Sequence, residues 1–227
     1  GQQVLLAAMI NNGGGLFTPT GQPNLKDPKN VEALNWLASM VADKSVDPAS
    51  AGYATGDIRR AFFQGKGLFM MDGPFLHQEA GSGAANIGIV PPLKSTAGRQ
   101  GTFSAVNNIM VYKAAKNAQA TKTFLRWWSK NQKDLWVKGQ TVSVPSRRSI
   151  AADAFFQNDP ERKYAIEKYM PVGRPTMAHA PGPFPQLNVV EGEGFLVAMT
   201  QQLLQGKPVP DIVEAADARL RQIMSKK

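Results

Sequence analysis

The stretch Ala61-Phe62-Phe63-Gln64-Gly65-Lys66-Gly67-Leu68-Phe69-Met70-Met71-Asp72-Gly73-Pro74-Phe75 changes pattern twice. A helix predicted over Gly56 to Gln64 stops at Gly65, and Gly67 to Met71 is an apolar run of strand length. Asp72-Gly73-Pro74 then reads as a turn, because glycine and proline punctuate the chain there, and Phe75 leaves that turn directly. Helix, strand and rigid turn in direct succession point to short strands alternating with helices. Two readings stand for Phe75: a core ring, or a flat apolar plate held at a strand end.

Upstream, Gln2 to Ile10 reads as a helix already under way, stopped at Asn11-Asn12-Gly13-Gly14-Gly15. With no initiator methionine before it, this predicts a fragment cut inside or just before a helix. Gly13-Gly14-Gly15 is not a phosphate loop, since no Lys-Ser/Thr follows and no strand precedes it. Asp27-Pro28 is a helix start: the carboxylate accepts from a free backbone N–H and proline fits the first helical position. That helix is predicted to reach about Asp43 and to bury Val31, Leu34, Ala38 and Val41.

Downstream, Asn86 to Val90 is a second short strand closed by Pro91-Pro92. The alternation of Phe103, Ala105, Asn107, Ile109 and Val111 predicts a strand over Thr102 to Val111. Asn117 is placed to cap a helix carrying Phe124, Leu125, Trp127 and Trp128, with at least one of the two indoles buried. A short helix near Leu135 to Lys138 follows, and Asp159-Pro160-Glu161 repeats the cap-plus-proline start for a helix to about Tyr169. Pro171 to Pro185 holds five prolines and is longer than an ordinary connection. Phe195, Met199 and Leu203 mark one face of a helix stopped by Gly206 and Pro208. Asp211 then caps a last helix that buries Val213, Ala216, Leu220 and Ile223. Short strands among many helices give an α/β or α+β class.

A length of 227 residues fits one large domain or two small ones. At 43% hydrophobic and 19% charged the chain is globular rather than disordered. The absence of cysteine excludes disulfides, thiolate metal sites and cysteine nucleophiles, and two histidines, His77 and His179, exclude a three-histidine zinc site. No apolar run approaches the roughly 18 residues of a membrane-spanning helix. The net charge of +9 is uneven: residues 1–100 carry 8 basic and 7 acidic side chains, residues 101–227 carry 18 and 10. Seven basic residues, Lys122, Arg126, Lys130, Lys133, Lys138, Arg147 and Arg148, fall in one stretch with Asp134 as the sole acid. Their helical spacing among aromatics reads as a solvated helix face. A phosphate-tracking patch is the alternative, although no RNA signature or zinc finger accompanies it. For catalysis, Asp72 has no visible partner acid or base and reads as a turn former. Glu191 and Glu193 flank Gly192 at a helix start, where the helix dipole alone favours acids.

The order of Asn12-Gly13-Gly14-Gly15, the Asp27 helix and the Ala61 to Phe75 stretch resembles the extracellular solute-binding proteins of ABC sugar importers, whose maltose-binding-type members carry a phrase of the form AF-x-x-GK-x-AM-x-x-x-GPW. Here Gly67-Leu68-Phe69-Met70 stands where Ala-Met-like residues are expected, and Phe75 stands where the family often has tryptophan. The similarity continues through Ile87-Gly88-Ile89-Val90-Pro91, Phe103-Ser104-Ala105-Val106-Asn107, the helix of Ala120 to Trp128 and the closing Gly206-Lys207-Pro208 helix pair.

The resemblance implies an α/β, periplasmic binding protein type II-like fold, present mainly as the C-terminal lobe of two, with the N-terminal lobe largely missing. Residues 1–100 fall in the second lobe, 101–146 return to the first, and 147–227 form the second lobe's C-terminal helices. The implied function is non-enzymatic: a sugar or oligosaccharide is bound in an inter-lobe cleft and delivered to the transmembrane subunits of an ABC permease. The protein would be periplasmic, or extracellular and tethered by a lipid in a single-membrane organism, with no cofactor, no metal, no nucleic acid and no direct membrane insertion. A pyranose has an apolar face and a rim of hydroxyls, so its pocket needs an aromatic plate and convergent polar groups. Phe75 on its Gly73-Pro74 turn is the first plate, with Tyr53 and Phe184 as others. Asn12, Asp72, Asn107, Arg174, Asn188 and Glu191 are the polar candidates. A phosphorylated polyol, a polyamine or another charged small ligand is the alternative within the fold, and a basic nucleic-acid-binding module the alternative outside it.

Overall fold

The computed structural model describes residues 1–74 and 76–226. α1 (Gln2–Asn11) is apolar on every side, and Leu5 through Ile10 are all buried, which makes it a central rather than an amphipathic helix. α2 (Pro28–Ala42) starts as its sequence dictates: the Asp27 carboxylate accepts from Lys29 N at 2.9 Å, with Pro28 in the first turn. Its fully buried positions are Asn30, Ala33 and Leu34, while Val31, Ala38 and Val41 lie only partly covered against the core. In α3 (Thr55–Phe63) the Asp57 carboxylate accepts from Ala54 N at 3.1 Å and closes the first turn.

Five helices follow: α4 (Ala118–Lys130), α5 (Asp134–Val137), α6 (Arg148–Ala151), α7 (Ala154–Gln157) and α8 (Pro160–Tyr164). α7 and α8 each begin on an aspartate. Asp153 accepts from Phe155 N, and Asp159 accepts from Glu161 N and Arg162 N, each at 3.0 Å. The helix expected to run to Tyr169 changes its winding to a π-type turn over Ala165–Tyr169. Asn117 stands before α4 but its side chain makes no capping bond; its carbonyl accepts from Thr121 N instead, at 3.0 Å. Neither indole of α4 is fully buried, and Trp127 is exposed; Trp136 of α5 is the tryptophan that enters a core. α9 (Leu187–Gly192), α10 (Phe195–Leu204) and α11 (Val209–Ser225) complete the chain. α11 starts three residues earlier than expected, so Asp211 is a first-turn acid rather than the cap, a position the helix dipole also favours.

The strand expectations are corrected most. Gly67 to Met71 and Asn86 to Val90 join no ladder among the described residues, and Asn86 closes a 3-10 turn. Of Thr102 to Val111 only β1 (Thr102–Phe103) is strand. It pairs in parallel with β2 (Gly173–Arg174), Thr102 opposite Gly173 and Phe103 opposite Arg174, and Ser104 N donates to Arg174 O at 2.8 Å. β2 lies inside the proline-rich segment that reads as loop. The physical reason is common to all three: alternation reports a backbone that can extend, whereas a strand exists only where a partner takes up its N–H and C=O groups.

The contacts gather into two units, residues 1–71, 91–105 and 171–227 in the first and residues 72–90 and 106–170 in the second. The first is built around α1, against which α2, α10 and β1 pack, with α11 laid across α2 and α10. Met9, Leu16, Phe17, Leu25, Leu196 and Leu220 are among its most deeply buried side chains. A Cβ at Gly101 would stand 2.7 Å from Ile10 O, so the chain entering β1 approaches α1 as closely as it does because that residue is glycine. The second unit has a smaller core of Trp136, Ile150 and Phe156, flanked by Leu135, Phe155 and Ile166. The Trp136 and Phe156 rings meet edge to face at 5.7 Å and 74°, and Trp136 Nε1 donates to Ser143 O.

Candidate functional site

In the first unit the loop leaving α1 is braced from several directions. Asn12, 5% exposed, donates through Nδ2 to Lys29 O at 2.9 Å and to Glu32 Oε2 at 2.8 Å, while Arg99 Nη1 donates to Asn12 O at 3.3 Å. Asn30 mimics a strand partner for Gly15: its Oδ1 accepts from Gly15 N at 2.9 Å and its Nδ2 donates to Gly15 O at 3.0 Å and Asn24 O at 2.7 Å. His179 Nε2 lies 3.0 Å from Gly14 O. Asn12 is therefore a brace between α1 and α2, with its amide donor spent inside the unit. Nothing in its sequence pattern distinguished that role from ligand contact. Asn30, which does more, carried no signal at all.

Tyr53 leaves the 3-10 turn of Pro48–Gly52, half-buried, and its hydroxyl donates to Asp47 Oδ2 at 2.9 Å. That bond raises the phenol's pKa above its ordinary value, so the ring keeps a protonated hydroxyl in a fixed orientation. The Asp47 carboxyl is correspondingly lowered, first by the Ala49 N–H and then by the phenol. Arg174 sits on β2 with an exposed side chain whose Nη1 donates to Pro171 O at 3.0 Å and Gly173 O at 2.7 Å. Asn188 and Glu191 are three apart on α9, hence neighbours on one helix face, and both are exposed. Phe184, half-buried, meets Phe17 edge to face at 5.0 Å and packs against the edge of the core.

The remaining candidates belong to the second unit. Asp72 Oδ1 accepts from Gly73 N at 2.6 Å, forming the turn its sequence announces, and Asp72 and Gly73 are exposed while Pro74 is half-buried. Phe75 lies outside the described residues. Just beyond it, the 3-10 turn Leu76–Glu79 is tied to α8, because His77 Nδ1 pairs with the Glu161 carboxylate. Asn107 is exposed in a segment without regular secondary structure. The His77–Glu161 pair escaped the sequence reading, since its partners are 84 residues apart and neither stands in a motif.

His77 and Glu161, with Phe155, Asp159 and Arg162, line an open cavity of about 750 Å³. Its carboxylates are engaged: Glu161 with His77, and Asp159 with two N–H groups of α8 and with Arg162 Nη1 at 3.3 Å. Arg162 also lies 4.0 Å above the Phe155 ring. Such a set braces the start of α8. It does not present two carboxyl groups at the disposal of an acid–base reaction. Among the described residues no group of three or more His, Asp or Glu stands where it could hold a metal ion, and no helix is long and apolar enough to cross a membrane.

Comparison with known proteins gives this arrangement its context. The profile of the family described as bacterial extracellular solute-binding protein matches residues 1–164. A putative binding protein of Brucella abortus (strain 2308) is 27% identical over 114 residues, 49% of this chain and 28% of its own length. Among solved structures, a sugar transporter from Arthrobacter chlorophenolicus with bound laminaribiose superposes with a TM-score of 0.92 at 25% identity, over 99% of this chain and 57% of that one. Maltose-bound MalE3 of T. maritima gives 0.75 at 17% identity, over 96% and 56%. The sugar-binding protein MalE from the phytopathogen Xanthomonas citri gives 0.74 at 16%, over 100% and 56%. The fold is thus the α/β, periplasmic binding protein type II-like fold of these sugar-binding proteins, and the chain spans little more than half the length of the solved relatives and about a quarter of the curated one.

Proposed function

Because this chain belongs to the bacterial extracellular solute-binding proteins, we propose that the complete protein binds a sugar or oligosaccharide between the lobes of a two-lobed fold and delivers it to an ABC permease. The likeness to the laminaribiose-bound transporter, at a TM-score of 0.92 over 99% of the chain, carries this reading. Residues 1–100 and 147–227 are assigned to the second lobe and 101–146 to the first. Ligand that touches both lobes favours the closed state by its differential contacts, and the closed state is what the permease receives. No bond is made or broken, so the protein is a carrier and not an enzyme. Its place is periplasmic or extracellular, with a lipid tether in an organism bounded by one membrane.

The binding residues proposed are Phe75 and Tyr53 as plates and Asp72, Asn107, Arg174, Asn188 and Glu191 as polar partners, with Gly73 and Pro74 shaping the turn. Tyr53 is supported by its fixed hydroxyl and half-open ring, the polar group by its exposure. Asn12 and Phe184 enter as supports of the site, since their side chains are engaged within the first unit. In the full-length protein, Phe75→Ala and Tyr53→Ala should each weaken sugar binding by roughly 1–3 kcal/mol, the scale of one buried aromatic. Calorimetric affinities unchanged in both variants would remove these rings from the site. A charged solute, favoured by the exposed Arg174 guanidinium, is the second reading. Its affinity should fall steeply with salt, whereas that of a neutral sugar should hardly respond.

A further inference from the structure

The second unit carries a patch of one sign of charge that includes none of the residues proposed for sugar binding. Lys122, Arg126 and Lys130 recur every four residues on α4 and so share one face over about 12 Å of helix axis. The Arg147 guanidinium reaches over from 17 residues beyond Lys130. Its Nη1 donates to Ser129 O and, at 2.9 Å, to Ser129 Oγ. These four cations, with Leu125 and Ser129, line an open cavity of about 410 Å³ whose lining contains no carboxylate. Neighbouring cations are neutralised locally, Lys133 by Asp153 and Lys138 by Asp134, both at 2.7 Å. Among the described residues no ion pair engages Lys122, Arg126, Lys130 or Arg147. Phe124, Trp127 and Trp128 occupy the opposite face of α4, and Phe124 stacks on Trp128 at 6.0 Å.

We propose that this basic groove is a docking surface for phosphate-type oxyanions presented in a row, the headgroups of an anionic lipid bilayer. Three cations in line, a fourth held in place by Ser129 and no competing acid match a plane of phosphodiesters better than a single ion. The groove offers no ring and only one half-buried leucine, so a protein partner would find little of the apolar centre that protein interfaces keep. Attraction to an anionic surface needs none, acts within a Debye length and leaves the chain outside the hydrocarbon. The contact would hold a carrier beside the membrane that houses its permease.

The test is sedimentation of the purified full-length protein with vesicles of phosphatidylglycerol and phosphatidylcholine, against vesicles of phosphatidylcholine alone and against no vesicles, at low and moderate salt. Binding to the anionic vesicles only, weakened by salt, is expected. The triple variant Lys122→Gln, Arg126→Gln, Lys130→Gln should bind about tenfold less well. A control of equal charge, Lys44→Gln, Lys94→Gln, Lys207→Gln, made at exposed positions of the first unit, should stay within about twofold of the parent. Glutamine keeps the helix propensity of the residues it replaces, and the salt response of the parent chain tests the proposal without any variant. Equal loss in both triple variants would reduce the effect to net charge and overturn the proposal, as would equal binding to neutral vesicles or no binding to either. Displacement by inorganic phosphate beyond that caused by sodium chloride of equal ionic strength would assign the groove to a soluble oxyanion and overturn the docking role.

Discussion

Asn30 holds the first unit together at a point where no apolar residue could. It sits at full burial on α2 and supplies both halves of a backbone-like pairing to Gly15 while also bonding Asn24. Asn30→Ala strands a buried N–H and two carbonyls at once, and should lower stability by about 3 kcal/mol in urea unfolding. A change below about 1 kcal/mol would show that water takes the amide's place. Gly14→Ala should do comparable damage, because its Cβ would land on the same Asn30 Oδ1. Helical periodicity hides such a residue: a polar side chain beside Val31 reads as solvent-facing, and only the path of the Gly13 to Gly15 loop shows why it turns inward. Tyr53 and Asp47 make a second residue-scale prediction. The folded Asp47 pKa lies below its ordinary 3.8, so the Asp47 interactions contribute fully above that pH and are lost as pH falls through the lowered value. Asp47→Asn should therefore flatten the acid limb of a plot of Tm against pH, with its effect present near neutrality and gone once the carboxyl of the parent is protonated. An unaltered acid limb would contradict this.

At the scale of elements, the starts of α2 and α8 were the most legible part of the chain, since an aspartate cap followed by proline acts through groups two or three residues away, whereas Asp153, which caps α7 without a proline, carried no such signal. Asp159→Ala removes the acceptor for Glu161 N and Arg162 N and should cost about 1 kcal/mol. The loss should appear in hydrogen exchange at the start of α8, and unaltered protection there would count against the cap. Phe156, fully buried, is the centre of the second unit's small core, and Phe156→Ala should cost about 3–5 kcal/mol of that unit's stability. Near-native protection of α5 and α6 in the variant would show that the core lies elsewhere. The strands were the least legible elements. β1 and β2 are two residues each and pair across 70 residues of sequence, so neither end announces the other. Trp127 and Trp128 drew attention by adjacency, yet Trp136 was the ring with a cavity to fill and a carbonyl to bond.

For the whole molecule, the exposure of large apolar side chains is the dominant physical fact. Leu68 is 89% exposed, Phe69 78% and Met110 85%, with Val106, Ile109 and Tyr112 exposed beside Met110 in sequence. All but Tyr112 fall in segments that read as strands, and none of them joins a ladder among the described residues. Solved relatives of the fold are nearly twice as long as this chain. In isolation the 227-residue chain should bind the dye ANS strongly and self-associate with concentration in light scattering, since apolar surface of this kind is seldom left to water. The full-length protein should do neither, and equal behaviour of the two would mean that these segments stay exposed. The order of motifs made the family legible where single residues did not, because order and spacing along the chain survive substitutions that erase any one contact. Isothermal titration of the full-length protein with laminaribiose, maltose and a phosphorylated sugar, each at low and moderate salt, decides the function most directly. Saturable binding of a neutral saccharide with an affinity that salt leaves unchanged is the expected result. Heat only from the phosphorylated ligand, falling steeply with salt, or no binding of any saccharide, would contradict it.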